Sequence, residues 1–302
     1  MLSLGTAPGV AFLVTRPSFY EVSISAGYCF MMAAFLLAAH SLVPDSPRTA
    51  SRIGAGLCLG LAAGCRPNFG VLAVLVVVLV AWRGRSHKAR VLAFVGPVVL
   101  CGVLLAGYNF ARFQNPFEIG NRYQLADGVA NQGGNPVDLA KVVPGAYYLL
   151  LEPPWLGLHY PFVGVGESTS VFSRLPKGFA VGPTIGLLWL APIALIGLMM
   201  PMVRRDRRFR DFVRFGATRW IIASLYFSAV GIIAIFASLG WIAGRYLVDF
   251  APELVLLSWL LLVAWWQGVR DWSEWQSRLF QCAVAGLTLY SLSLDLWMCL
   301  TR

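Results

Sequence analysis

Charge is scarce in this chain. Only 13% of its 302 residues are Asp, Glu, Lys or Arg, about half of the roughly 25% that soluble globular domains carry. With 58% hydrophobic residues and a mean hydropathy of +0.69, that scarcity argues against a water-soluble enzyme. Strand-like polar/apolar alternation is also absent, which argues against a closed outer-membrane barrel. Histidine is limited to His40, His87 and His159, far apart in sequence. The six cysteines (Cys29, Cys58, Cys65, Cys101, Cys282 and Cys299) form no CxxC pair and fall in or beside apolar stretches. Cysteine acts there as a small apolar residue, so neither a metal centre nor a disulfide framework is expected. No Ser-His-Asp order, Walker loop, HExxH or DxD string occurs, and the hydrolase, NTPase and metalloprotease readings lack their residues. The amino end, MLSLGTAPGVAFLVTRP, has no basic segment and is broken by Gly and Pro, unlike a cleavable signal.

What the chain does have is apolar runs near the roughly 20 residues that a membrane-crossing helix needs. They predict an all-α, polytopic transmembrane bundle of about eight spans, forming one integral membrane domain over residues 1–302. The expected spans lie near 22–43, 53–65, 69–82, 91–108, 179–203, 220–239, 247–266 and 279–299. The second and third are short and share the Cys65-Arg66-Pro67-Asn68 junction, as a tight helical hairpin or a partly re-entrant pair would. Gly96-Pro97 and Ala191-Pro192 are read as packing and kink positions. Segment 109–178, rich in Gly, Pro, Asn and aromatics, is the long extramembrane loop.

The formal charge is +10, from 24 Lys and Arg against 14 Asp and Glu. No basic stripe is interleaved with stacking aromatics, so nucleic acid is not expected as a partner. Fifteen of the 24 cations fall in loops 44–52, 83–90, 204–219 and 267–278, most densely in RRDRRFRDFVRFGATR. By the positive-inside rule that side is cytoplasmic. Loop 109–178, the Arg66 junction, the Gly244–Phe250 turn and both termini are then extracytoplasmic. An outward amino end without a signal or charged anchor leads to the expectation that an odd number of upstream spans is missing, as in a truncated reading frame.

Ionisable residues at an outer membrane face cost free energy unless paired or in water-filled cavities, and four clusters stand out. Glu21 follows Arg16-Pro-Ser-Phe-Tyr20 at a helix start, where the helix dipole favours a carboxylate by about 0.3–1 kcal/mol. Arg66 and Asn68 flank Pro67 between the two short spans, where Arg66 either snorkels to lipid phosphates or clamps the phosphate of a lipid-linked substrate with its planar fork. In the run Tyr108–Leu125, aromatics, amides, Arg112, Glu118, Arg122 and Tyr123 follow one another, with Asn115-Pro116 marking a turn. Aromatic faces stack on sugar rings while amides and carboxylates take hydroxyls, although an interfacial aromatic belt accounts for the rings alone. In Gly244–Glu253, Arg245 and Asp249 stand four apart, able to pair across a helix turn or to meet substrate. Segment 138–160, with Lys141, Tyr147, Tyr148, Glu152 and Trp155, reads as an amphipathic piece along the outer surface, too short between Pro144 and Pro153-Pro154 to span.

The stretches GLAAGCRPN, YNFARFQNPFEIGNRYQLA and GRYLVDFAP resemble bacterial membrane glycosyltransferases of the GT-C class, in the branch alongside protein O-mannosyltransferases and aminoarabinose transferases. The resemblance extends over most of the chain. It implies an enzyme integral to the cytoplasmic (inner) membrane that takes a sugar from a polyprenyl-phosphate donor at a site facing away from the cytoplasm. Arg66, Arg112, Arg122 and Arg245 resemble outer-face cations that hold donor phosphate, with Asn68, Tyr123 and Asp249 as further substrate contacts. The family's key acid, in the first outer loop after the first span, has no counterpart here, so the catalytic residue is unassigned and Glu21 and Glu118 are the candidates. No metal ligands or cofactor are identified, and the resemblance leaves a divalent metal open. Expected partners are the polyprenyl-phosphate-linked sugar and membrane lipids; nothing speaks to oligomeric state. Two alternatives stay open: a non-catalytic membrane subunit, and a lipid or solute transporter, the latter disfavoured by charge-free span centres and the lack of an internal repeat.

Overall fold

The computed structural model describes residues 19–41, 48–83, 87–120, 137–160, 162–165, 171–172, 174–203, 216–268 and 273–300. Of the sequence-derived site residues, Arg122 and Tyr123 lie outside these. The chain divides into two compact units, Val22–Asn135 and a second comprising Met1–Glu21 with Pro136–Arg302. Both are overwhelmingly helical, as expected.

The first unit holds α1 (Phe19–His40, whose first turn belongs to the second unit), α2 (Arg48–Cys65), α3 (Pro67–Arg83) and α4 (Lys88–Phe113). Pro67 stands at the first position of α3, where its missing N–H costs nothing. Gln114 ends α4 in a left-handed conformation, φ 56°, donating its backbone N–H to the Phe110 carbonyl, a common way to satisfy a terminal carbonyl. The packing is set by glycines. A Cβ at Gly56 would collide with the carbonyl oxygen of Phe94, and one at Gly60 would lie 2.6 Å from Cys101 Cβ and 3.4 Å from Val98 Cα. Small residues of this kind let helix backbones touch. Position rises together on both helices, so α2 and α4 run parallel. α1 runs antiparallel to α2: Leu37 meets Gly54, His40 Nδ1 lies 2.9 Å from Ser51 Oγ, and Gly27 sits against Arg66 and Phe69.

The second unit begins with a 3-10 turn (Leu139–Lys141) running into α5 (Val142–Leu150). Short helices α6 (Leu187–Leu190), α7 (Ala194–Leu198) and α8 (Met200–Val203) follow, then α9 (Gly216–Leu239), a 3-10 turn (Gly244–Asp249), α10 (Ala251–Gly268) and α11 (Glu274–Leu300). Among the described residues, four two-residue strands complete it. β1 (Trp155–Leu156) pairs antiparallel with β2 (Val163–Gly164), and β3 (Ala180–Val181) pairs parallel with β4 (Trp241–Ile242). α9 and α10 are antiparallel: Phe236 stacks on Tyr246 at 4.5 Å and Ser228 bonds to Glu253 at 2.8 Å. Trp265 and Trp266 meet Phe280 at the α10–α11 turn, and Tyr160 and Phe162 meet Trp297 near the far end of α11. The core gathers Leu225, Ala229, Ile232, Phe250, Leu254 and Leu257.

Among the described residues, four helices are long and apolar enough to cross a membrane: Glu21–His40, Lys88–Phe113, Ile221–Leu239 and Glu274–Met298. The remaining windows differ from expectation. The 179–203 window is not one continuous helix but β3 and three short helices, because Pro183, Pro192 and Pro201 each remove a helix N–H and clash with the preceding turn. The 247–266 window starts its α-helix only at Ala251, after the 3-10 turn. The 53–65 window lengthens, since α2 begins at Arg48. Residues 109–113, expected in the long loop, finish α4. Segment 138–160 does not merely lie on a surface: α5 packs on α9 so closely that a Cβ at Gly145 would stand 2.5 Å from Ala237 Cα, and Tyr148 and Leu149 are fully buried.

Candidate functional site

The chain directions collect the polar residues of the first unit at one end. α1 enters there, α2 hands over to α3 there, and α4 finishes there. Arg66 sits in the α2–α3 junction, its N–H bonded to the Ala62 carbonyl and its own carbonyl to the Phe69 N–H. Gly27 leaves a notch on α1: a Cβ there would stand 3.3 Å from Arg66 Cγ and 2.9 Å from the Phe69 ring. The arginine stem is thereby braced by α1 while the residue stays half-buried, and Asn68 is half-buried one residue into α3. Matching Gly56 to Phe94 and Gly60 to Val98 puts the α2–α3 junction about two and a half turns before the end of α4; Arg112 stands about 12 Å further along the same direction at 1.5 Å per residue.

Arg112 is exposed, held by its own neighbours: its guanidinium lies 3.4 Å from the Tyr108 hydroxyl and 4.8 Å from the Phe113 ring centre. Beyond it the chain folds back as the Asn-Pro signal predicts. Asn115 Oδ1 accepts the Phe117 N–H at 3.0 Å, buried Asn109 donates to the Pro116 carbonyl at 3.4 Å, and Glu118 Oε1 accepts the Gly120 N–H at 2.9 Å. Gly120 takes φ 89° over the Phe113 ring, a conformation that suits glycine. Glu118 is half-buried in this turn, whereas Glu21, in the first turn of α1, is 7% exposed.

The second unit has its own polar end, where α9 stops, α10 starts and α11 finishes. Arg245 lies over the Tyr246 ring at 5.6 Å, and Tyr246 in turn stacks on Phe236. Asp249 closes the 3-10 turn with no exposed surface, so this carboxylate faces inward. One helical turn on, Glu253 is equally enclosed and accepts the Ser228 hydroxyl proton. Strand pairing of 180–182 with 240–242 holds this turn in place, and Gly244 donates to the Pro183 carbonyl beside buried Thr184. Lys141, 7% exposed, reaches the Leu239 carbonyl at 3.5 Å and caps the end of α9, where the dipole favours a cation. Glu152 is enclosed beside Tyr147; partial burial, and after it the Glu152 carboxylate, push the Tyr147 phenol above its ordinary value.

Thus Arg66, Asn68, Arg112 and Glu118 share one end of the first unit, and Arg245 and Asp249 one end of the second. Sequence reasoning assigned no role to Lys141, Glu152, Glu253 or Asp295, all buried. Their signal was a charged residue inside or beside an apolar run. Among the described residues, no three His, Cys, Asp or Glu side chains could hold a metal ion. No family model, curated protein or solved structure matches this chain.

Proposed function

We propose that this is an integral protein of a bacterial cytoplasmic membrane, with about eight crossings and its long loop outside. Its activity is GT-C-like transfer of a sugar from a polyprenyl-phosphate donor to an extracytoplasmic acceptor. The observation that carries the reading is the polarity of the first unit. Arg66, Asn68, Arg112, Glu118 and the aromatic-amide turn gather at one end, and the opposite end carries Arg48, Arg52, Lys88 and Arg90 without a described acid. A lipid-linked sugar phosphate needs the first set: cations for phosphate, aromatic faces and amides for sugar, and a carboxylate for the acceptor.

Of the two acids, Glu118 suits the base better, because Glu21 is almost wholly enclosed. Its carboxylate takes the acceptor hydroxyl proton. The hydroxyl oxygen bonds the sugar's anomeric carbon, the bond from that carbon to the phosphate oxygen breaks, and its electron pair leaves on the polyprenyl phosphate. Arg66 and Arg112 stabilise that growing charge. The transporter reading finds no support in the spans, whose ionisable groups sit near helix ends.

The test uses the full chain in proteoliposomes with a radiolabelled polyprenyl-phosphate sugar, reading donor binding by photocrosslinking alongside transfer. Arg66→Ala and Arg112→Ala are expected to weaken donor capture, and each to lower transfer by about 100-fold or more. Unchanged capture in both variants would refute the assignment.

A further inference from the structure

The other end of the first unit has chemistry that the proposed transfer does not use. Parallel packing sets the first turns of α2 and α4 side by side. Arg52 and Arg90 each lie one turn before the contact of Gly56 with Phe94, and so face the same helix–helix seam, with Arg48 one turn earlier on α2. Burial, then Arg90, then Arg48 push the Arg52 guanidinium below its ordinary value, as expected of cations crowded together. Neither helix has an acid in its first turn, and His87 makes no side-chain cap bond to α4. Cations at a helix start oppose the dipole, and the first N–H groups of a helix want acceptors. Glu118, the acid of this unit among the described residues, is at the far end. Each of these features calls for an anion.

The surface next to the cations indicates what carries it. Ile53 and Leu57 on α2, one and five residues past Arg52, are 45% and 43% exposed. A free anion has no use for such a surface, whereas acyl chains do.

We propose that the paired N-terminal turns of α2 and α4 bind the phosphate of an anionic membrane lipid, with Arg52 and Arg90 gripping the headgroup and Arg48 flanking it. The acyl chains run down over Ile53 and Leu57. The site is separate from the donor site and does not rest on it.

The test measures retention of phosphatidylglycerol against phosphatidylcholine by the full chain, using native mass spectrometry and nanodisc titration. Wild type prefers phosphatidylglycerol, and Arg52→Gln with Arg90→Gln weakens that binding at least about tenfold. Arg207→Gln with Arg208→Gln, which removes equal charge elsewhere, changes it less than about twofold. Equal losses in both double variants would overturn the proposal in favour of diffuse attraction, and so would no loss in the first. If the first does not fold, Arg90→Gln alone, at an exposed position, is expected to weaken binding about threefold or more, and unchanged affinity overturns the proposal. Inorganic phosphate at millimolar concentration leaves the lipid bound; displacement by it would mean a site for free phosphate and would overturn the lipid assignment.

Discussion

The parallel contact between α2 and α4 puts Arg66 and Arg112 at the same end, and three glycines one turn apart test it. Gly56 and Gly60 face α4, whereas a Cβ at Gly64 would meet nothing within 4 Å. In Gly56→Ala the new methyl meets a backbone carbonyl that no rotamer can move, so the helices must separate. In Gly60→Ala it meets Cys101 Cβ at 2.6 Å, about 0.8 Å inside ordinary contact, and Cys101 shares its helix's rigid backbone. Overpacking of this kind costs about 1–3 kcal/mol. Each substitution also gains up to about 1 kcal/mol of helix propensity, which at Gly64 is unopposed. The expected order of stability is therefore Gly64→Ala above wild type and Gly60→Ala and Gly56→Ala below it, with about 1–3 kcal/mol between the extremes. Thermal or denaturant unfolding in one detergent, followed by tryptophan fluorescence, reads the order. If Gly56→Ala were as stable as Gly64→Ala, the two helices would not touch there and the shared polar end would lose its basis.

Ser228→Ala leaves the enclosed Glu253 carboxyl without its hydroxyl partner and is expected to cost about 1–3 kcal/mol, whereas Glu253→Gln keeps an acceptor for Ser228 and costs less in the same unfolding assay. Because the folded chain holds the Tyr147 proton more tightly than the unfolded one, stability present below the ordinary tyrosine value of about pH 10 falls as pH climbs toward the raised folded value; Tyr147→Phe is expected to flatten that alkaline decline. Single cysteines replacing Glu118 or Lys177, in a background without the native six, are expected to react with an impermeant maleimide on intact cells, and those replacing Lys88 or Arg219 only after lysis. The reverse pattern would invert the membrane orientation.

Most helices were legible because their apolar runs are long and uniform. The 179–203 window shows the limit: averaged hydropathy registers Leu187–Leu190 and Ile193–Leu198 but not that Pro183, Pro192 and Pro201 forbid one continuous ladder. At 53–65 the error is opposite, since Arg48 and Arg52 lower the local hydropathy while α2 continues through them. The Arg66–Pro67 junction was legible because proline punctuates it, and the Asn115-Pro116 turn for the same reason. The pairing of α2 with α4 was not, since Gly56, Gly60 and Gly64 mark a close-packing face without naming its partner. Glu253 went unassigned because an acid at a helix start has a sufficient local explanation; only its enclosure against Ser228 reveals a tertiary one.

Where the ionisable groups sit along the spans decides between surface chemistry and transport. Asp, Glu, Lys and Arg are absent from 22–39, 91–111, 220–239, 254–268 and 279–294, leaving Asp295, 5% exposed on α11, as the exception to weigh. α11 has 27 residues, about 40 Å at 1.5 Å each, against a hydrocarbon core of about 30 Å. Centred in that core, the helix would hold Asp295, five residues before Leu300, only about 3 Å inside the boundary. A carboxyl there can be served by the wet end of the unit, which is a structural use, whereas a proton or solute relay needs groups near the middle. Asp295→Asn is therefore expected to lower thermal stability while leaving proteoliposomes as impermeable to an imposed proton gradient as wild type. Gradient-dependent flux in wild type that Asp295→Asn abolishes would show that this carboxyl carries transport, and the surface-chemistry reading would have to yield.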